Sequence, residues 1–456
     1  MNEDTSRAPA PITLAEAFCY WLKLGFISFG GPAGQIAIMH HDLVERKRWI
    51  SERRFLHALN FCMVLPGPEA QQLAVYIGWL MHKTWGGVIA GVLFVLPSLF
   101  ILIGLSWIYM AYGNVPAVAG ILYGIKPAVT AIVVFAAYRI GTRALKNGTL
   151  WAIAAAAFVA IFAFNVPFPI IVIAAAIIGY VGGQVAPKTF ATGGGHDAGG
   201  KSYGAAIIDD NTPTPEHAQF SWARFTRALG TGLVLWAGVM GWLVVALGWD
   251  NTFTQMGWFF TKAALVTFGG AYAVLPYVYQ AAVEDYQWLT ALQMIDGLAL
   301  GETTPGPLIM VVAFVGFVGG WVKALLGPES LFLAGAAAAT LVTYFTFLPS
   351  FIFILLGGPL VESTHGEVKF TAPLTGITAA VVGVILNLAV FFGYHVLWPQ
   401  ATDVAKFGGT FEWASLIIGA AAFVAIFRYK VGVIPLIGAC GLAGLVYTLA
   451  KPVLAL

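Results

Sequence analysis

Charged side chains are scarce in this sequence. Lys, Arg, Asp and Glu make up 10% of 456 residues, against about 25% in a soluble domain, so the chain is not an ordinary soluble protein. The small balance that remains, +2, gives no footprint for nucleic acid. Cysteine is rarer still: Cys19, Cys62 and Cys440 stand far apart in apolar sequence, which excludes a disulfide framework and a CxxC metal site. The histidines are scattered, and His40-His41 has no third ligand nearby, so no metal is expected. Neither H-E-x-x-H nor G-x-S-x-G nor a haem-attachment motif occurs, and nothing points to an enzyme or a cofactor. The polar start Met1-Asn2-Glu3-Asp4, with no small-residue cleavage site after the first apolar run, reads as having no signal peptide.

Apolar runs of spanning length are abundant, recurring from about Ala15 to Leu449. Stretches such as Gly87–Trp107 lack the two-residue alternation of a membrane barrel, so the fold class is an all-α polytopic membrane protein. Two of the runs are interrupted, by Pro66-Gly67-Pro68-Glu69 and by Glu302-Thr303-Thr304-Pro305-Gly306-Pro307. Pro-Gly-Pro removes two backbone donors and cannot continue a helix. Backbone broken at membrane depth survives only inside protein or beside a wet cavity, which makes each break a candidate binding site. Around the first break the apolar pieces of Leu56–Met81 are each too short to span, leaving one broken crossing or a re-entrant hairpin open.

In chain order, the first helix starts at Thr13, carries Lys23 and ends at Ser28-Phe29-Gly30-Gly31-Pro32. The loop His40–Phe55 holds Arg46, Lys47, Arg48, Arg53 and Arg54 and reads as cytoplasmic. Further segments follow at Gly87–Tyr112, Gly120–Arg139, Leu150–Phe164 and Pro169–Val185. Residues 1–185 form a first membrane half, 186–227 a flexible polar linker and 228–456 a second half, with an extra segment at 228–249 and a repeat over 254–456. Within the linker, Gly195 to Lys201-Ser202 spells a P-loop, but a Gly-rich tract precedes it where a phosphate-binding loop needs a strand, so nucleotide binding is discounted.

The second half repeats the first. Lys262, Phe268-Gly269-Gly270, Trp288 and Pro305-Gly306-Pro307 each lie 239 residues (262 − 23) after Lys23, Phe29-Gly30-Gly31, Trp49 and Pro66-Gly67-Pro68. Leu348-Pro349-Ser350 and Gly376-Ile377 follow Leu96-Pro97-Ser98 and Gly124-Ile125 by 252 (348 − 96), which places a 13-residue insertion (252 − 239) near Lys323–Ser330. The loop matching the basic Arg46–Arg54 is Tyr279–Thr290, with Glu284 and Asp285 and no cation, as expected of inverted repeats. Counting each broken segment as a crossing gives thirteen and inverts the second half, but puts Arg139, Arg143 and Lys146 outside. Treating the breaks as re-entrant brings these cations inside and makes the halves parallel. The loop asymmetry favours inversion.

Helix N-termini opening at Pro68 and Pro307 carry about half a positive charge each. With Lys23 and Lys262 they compose an anion site, to which Ser28, Thr267, Thr303 and Thr304 add hydroxyls. An isolated intramembrane Lys would be read as snorkelling; its repetition favours a functional cation. Glu69 and Glu302 flank the breaks, and a carboxylate there opposes an anion until protonated, so proton and anion binding are coupled; antiport is the expected mode. The alternative reading is that one or both pair with Lys23 or Lys262 as structural ion pairs.

The paired motifs, Phe29-Gly30-Gly31-Pro32, Trp49-Ile50, Pro66-Gly67-Pro68-Glu69 and their counterparts through Thr304-Pro305-Gly306-Pro307, resemble the chromate ion transporter family in its long, two-half form. The likeness covers nearly all the chain outside the linker. It implies a multi-pass inner-membrane protein that expels chromate on the proton gradient, with sulfate as a competitor. Substrate contacts would fall on Lys23, Ser28, Phe29, Gly30, Gly31, Pro66, Gly67, Pro68, Lys262, Thr267, Gly269, Gly270, Thr303, Thr304, Pro305, Gly306 and Pro307, and proton coupling on Glu69 and Glu302. Phe268-Gly269-Gly270 is followed by Ala271 where the first half has Pro32, so a milder kink is expected in the second half. A passive oxyanion channel and a sulfate or molybdate transporter are the alternatives, and the oligomeric state, a homodimer included, is left open.

Overall fold

The computed structural model describes residues 8–29, 31–190, 203–268, 270–364, 371–401, 405 and 407–451. It is helical throughout, and the described residues hold one isolated bridge, Ile50 to Ile208, and no strand. The first half comprises α1 (Leu14–Ile27), α2 (Gly31–His40) running into a π turn (His41–Arg46), α3 (Glu52–Val64), α4 (Glu69–Tyr112), α5 (Pro116–Ala144), α6 (Gly148–Phe164) and α7 (Phe168–Val185). A short α8 (Pro187–Phe190) and the additional helix α9 (Trp222–Leu247) follow. The second half comprises α10 (Thr252–Leu265), α11 (Ala271–Tyr279) with its π turn (Gln280–Asp285), α12 (Ala291–Thr303), α13 (Val311–Val322), α14 (Leu331–Thr364), α15 (Thr371–Leu397), α16 (Trp413–Tyr429) and α17 (Val433–Ala450).

The duplication is visible to the residue. The π turns start 239 apart (280 − 41), as do α3 and α12 (291 − 52), and Arg48 and Gln287, at φ 50° and 51°, share a left-handed backbone. From α6 onward the spacing becomes 265 (413 − 148, and 433 − 168), so a second 13-residue insertion (265 − 252) lies in the loop between α15 and α16.

The breaks are the tips of re-entrant hairpins. The rings of Phe61 and Tyr76 flank the first Pro-Gly-Pro and lie 5.9 Å apart, where a continuous helix would hold them about 22 Å apart. Around the second, Gly297 packs on Phe314 and Gly301 on Val311. Tyr20 of α1 meets Trp49 at 5.0 Å, so α1 and α2 also fold back on each other. α4 turns once more at His82 and Lys83, whose backbones leave the helical region, and Gly78 of its first arm packs against Gly86 of its second. The second arm then runs on to Tyr112.

The halves are interlocked. α6 and α7 pack on α15 of the other half, while α16 and α17 pack on α5. Equivalent glycines make both crossings: Gly124 lies against Gly444, and Gly376 against Gly179, each backbone filling the space a Cβ would need. The counterparts α5 and α15 touch at Gly141–Val382 and Thr130–Gly393, so they run antiparallel.

Part of the linker sequence is ordered against the first half. Ile208 donates to the Trp49 carbonyl and accepts from Ser51, the Ser51 hydroxyl donates to Asp210, and Arg54 donates to the Thr212 carbonyl. α9 begins at Trp222, ahead of the apolar segment read from composition, because Arg224 and Arg227 are carried on its first turns. The P-loop-like stretch at 195–202 lies outside the described residues.

Candidate functional site

The four hairpin tips meet, each half against the other. Gly67 N–H donates to the Thr267 carbonyl at 2.7 Å, and Gly306 N–H donates to the Ser28 carbonyl at 2.7 Å, the same bond written twice. Gly67 and Gly306 stand at φ +126° and +105°, where a side chain is strained. A Cβ on Gly67 would also strike the Ser350 hydroxyl, and one on Gly306 the Ser98 hydroxyl. Ser98 donates to the Pro305 carbonyl. The carbonyls that Pro-Gly-Pro leaves are thus met by Ser98 and Gln35 of the opposite half and by Gln72 of the same half, which is why a broken backbone is tolerated at this depth.

Four helices begin at these tips: α2 at Gly31, the first arm of α4 at Glu69, α11 at Ala271 and the 3-10 turn Leu308–Met310 that opens α13. Their N-termini converge with about half a positive charge each and with first-turn N–H groups that have no helical partner. Buried amides line the same turns. Gln35 Nε2 donates to the carbonyls of Gly306 (2.5 Å) and Ser28 (3.3 Å), and Gln72 Nε2 to that of Pro66 (2.7 Å). Their Oε1 atoms, and both polar atoms of the fully buried Gln71, have no hydrogen-bond partner among the described residues. A buried amide left unpartnered costs about 1–3 kcal/mol.

The residues expected from sequence fall into three groups. Ser28, Phe29, Pro66, Gly67, Pro68, Thr267, Thr304, Pro305, Gly306 and Pro307 are at the tips; Gly31 and Gly270, at φ +69° and +94°, open α2 and α11; Gly30 and Gly269 lie outside the described residues. The hydroxyls of Ser28, Thr267, Thr303 and Thr304 each donate to a carbonyl four residues back, Leu24, Ala263, Ala299 and Leu300, so in this arrangement they offer lone pairs outward. Lys23 and Lys262 stand one and a half turns before the tips. Lys23 is exposed, in a groove with Glu16, Asp42, Arg46 and Lys47, and Lys262 lies 5.9 Å from the Trp258 ring. Among the described residues neither makes a hydrogen bond or an ion pair. Glu69 and Glu302 are both half-buried; Tyr272 donates to Glu302, and Arg139 is close enough for its charge to act on that tyrosine.

Two buried ion pairs escaped the sequence reading. Asp296 of α12 meets Lys126 of α5 (3.4 Å) and Tyr109 of α4 (3.0 Å), with its second oxygen unpartnered. Glu362 of α14 meets Arg54 of α3 (2.7 Å) and Tyr76 of α4 (2.6 Å). Both pairs join one half to the other. Asp296 and Lys126 are charges in apolar sequence, but neither is duplicated: their counterparts are His57 and Thr378. The glutamines carried no signal, being neutral.

Two interlocked halves with broken backbone meeting between them define a multi-pass membrane transport protein. The chromate transporter family model matches residues 15–180 and 254–445. The chain belongs to that family, whose members transport and are not enzymes. It is 32% identical to the chromate transport protein of Pseudomonas aeruginosa over 96% of this chain and 94% of that one. It is 29% identical to the chromate transport protein of Cupriavidus metallidurans (83% and 82% covered) and 28% identical to the probable chromate transport protein of Synechococcus elongatus (84% and 85%). No solved structure matches it.

Proposed function

We propose that the protein carries chromate, a tetrahedral dianion, out of the cytoplasm across the inner membrane, driven by the proton gradient, and that the anion binds where the four hairpin tips meet. The observation that carries this reading is the convergence of the four helix N-termini on a space edged by unpartnered glutamine amides. Lys23 and Lys262 draw the anion towards the tips from either side, the first-turn N–H groups coordinate it, and Glu69 or Glu302 carries the proton, its charge state setting whether the anion is repelled.

The halves are inverted in the membrane. Re-entrant hairpins enter and leave on one side, so the first half crosses with the second arm of α4 and with α5, α6 and α7, and α9 crosses once more before the second half begins. That odd number turns the second half over. At 17 residues α6 and α16 are about 26 Å long, enough for a thin or tilted crossing. With the Arg46–Arg54 loop inside, Arg139, Arg143, Lys146, Lys188, Arg224, Arg227, Arg428 and Lys430 also fall inside, while Asp250, Glu284, Asp285, Glu329 and Glu412 fall outside with Lys323 and Lys451. The charge distribution on these sides supports inversion. The antiparallel run of α5 and α15 and the contact of Arg54 with Glu362 support the same sides.

Purified protein in liposomes should take up labelled chromate when a pH gradient is imposed, with sulfate and molybdate slowing the flux as competitors. Flux that persists unchanged after the gradient is collapsed would leave a passive oxyanion pathway in place of antiport.

A further inference from the structure

Away from the tips, an apolar groove of about 610 Å³ lies between the second arm of α4, α9 and α14. α9, which forms one wall of the groove, has no counterpart among the described helices of the first half. Its floor is formed by Val95, Leu99, Leu235, Phe347, Phe351 and Leu355. Along α4 it extends from Thr84 to Leu99, a rise of about 22 Å, somewhat more than one leaflet of a hydrocarbon core about 30 Å thick.

One end of the groove is different. Arg224 and Arg227, three residues apart on one face of α9, line its mouth beside Thr84 and His217. Arg224 donates through Nη1 to the carbonyls of Glu216 and Gln219, which fixes its guanidinium, and Arg227 makes no hydrogen bond or ion pair among the described residues. His217 is tied to the Trp79 carbonyl, and burial lowers its proton affinity, so the positive charge of the mouth comes from the two arginines, with Lys83 near enough for its charge to act on His217. Trp85 and Trp222, 72% and 70% exposed, flank this end and mark the level where a bilayer meets water.

We propose that this groove binds one anionic phospholipid, with an acyl chain along the apolar floor and the phosphate between Arg224 and Arg227. Apolar depth of leaflet length, a doubly cationic mouth and interfacial tryptophans beside it fit a lipid with a charged headgroup; a free phosphate would use the mouth alone, and a zwitterionic lipid would gain little from two arginines. The site is independent of the transport reading, since none of its residues lies at the tips.

The test is native mass spectrometry of the full-length protein in detergent, titrated with phosphatidylglycerol or phosphatidylcholine. Wild type should retain one phosphatidylglycerol at concentrations where phosphatidylcholine is lost, and inorganic phosphate should not displace it. The double variant Arg224→Ala/Arg227→Ala should weaken retention about tenfold or more, the corresponding double Lys variant should keep most of it, and Leu235→Trp, which fills the groove and leaves the charges, should also weaken it. Equal retention of the two lipids by wild type, or undiminished phosphatidylglycerol in both the Ala double variant and Leu235→Trp, would overturn the proposal.

Discussion

Gly306 donates its amide to Ser28, and the same bond joins Gly67 to Thr267 with the halves exchanged. Each Pro-Gly-Pro is therefore held by the Phe-Gly-Gly break of the other half, so the two halves cannot separate without losing both bonds. Gly306→Ala places a side chain at φ +105° and against Ser98, which should cost about 2–5 kcal/mol. Adding Ser98→Gly relieves the crowding and not the backbone strain, so part of the loss should return. Thermal unfolding followed by size-exclusion chromatography checks this, and in Gly67→Ala the added Ser350→Gly should recover less, because a Cβ there also meets Gln72 Nε2.

The pair Lys126–Asp296 is buried between the halves, so removing one partner strands the other. Lys126→Met or Asp296→Asn alone should destabilise by about 3 kcal/mol, near the lower end for buried pairs because Lys126 keeps some exposure. The double variant should lose less than the sum of the two. Additive losses in a double-mutant cycle would show that the contact carries no coupling.

Much of this architecture was readable from sequence because it was written twice. The breaks, the duplication and the first insertion all announced themselves through proline, glycine and lysine recurring at a spacing that shifts from 239 to 252. The hairpin geometry did not, since a broken crossing and a re-entrant turn use the same residues and differ only in whether Phe61 comes back to Tyr76. Exchange of α6–α7 and α16–α17 between halves was equally silent: Gly179 facing Gly376 looks in sequence like any glycine in a chain with many. At the site, Pro and Gly were found by their effect on the backbone, whereas Gln35, Gln71 and Gln72 are polar without charge and raise no flag in an apolar run. Glu362 sits at the end of α14, where it reads as an interfacial acid until Arg54 is seen beside it.

Inversion predicts sidedness. In a Cys19→Ser background, whose remaining cysteines, Cys62 and Cys440, are buried, Lys146→Cys should be protected from a membrane-impermeant maleimide in intact cells and react after permeabilisation. Asp285→Cys should react in intact cells. Equal labelling of the two positions from one side would make the halves parallel.

Glu302 accepts from Tyr272 and stands one residue before Thr303 at the second tip. If its proton is the one exchanged for the anion, Glu302→Gln fixes the site in a state that mimics the protonated carboxyl and cannot release a proton. Chromate binding should survive in that variant, measured by equilibrium binding, while uptake into liposomes stops responding to the pH gradient. Glu69→Gln separates the two candidates: it should leave the gradient response intact if Glu302 is the carrier and abolish it if Glu69 is. A gradient response undiminished in both variants would remove the carboxylates from the coupling step and leave the anion site at the helix N-termini standing by itself.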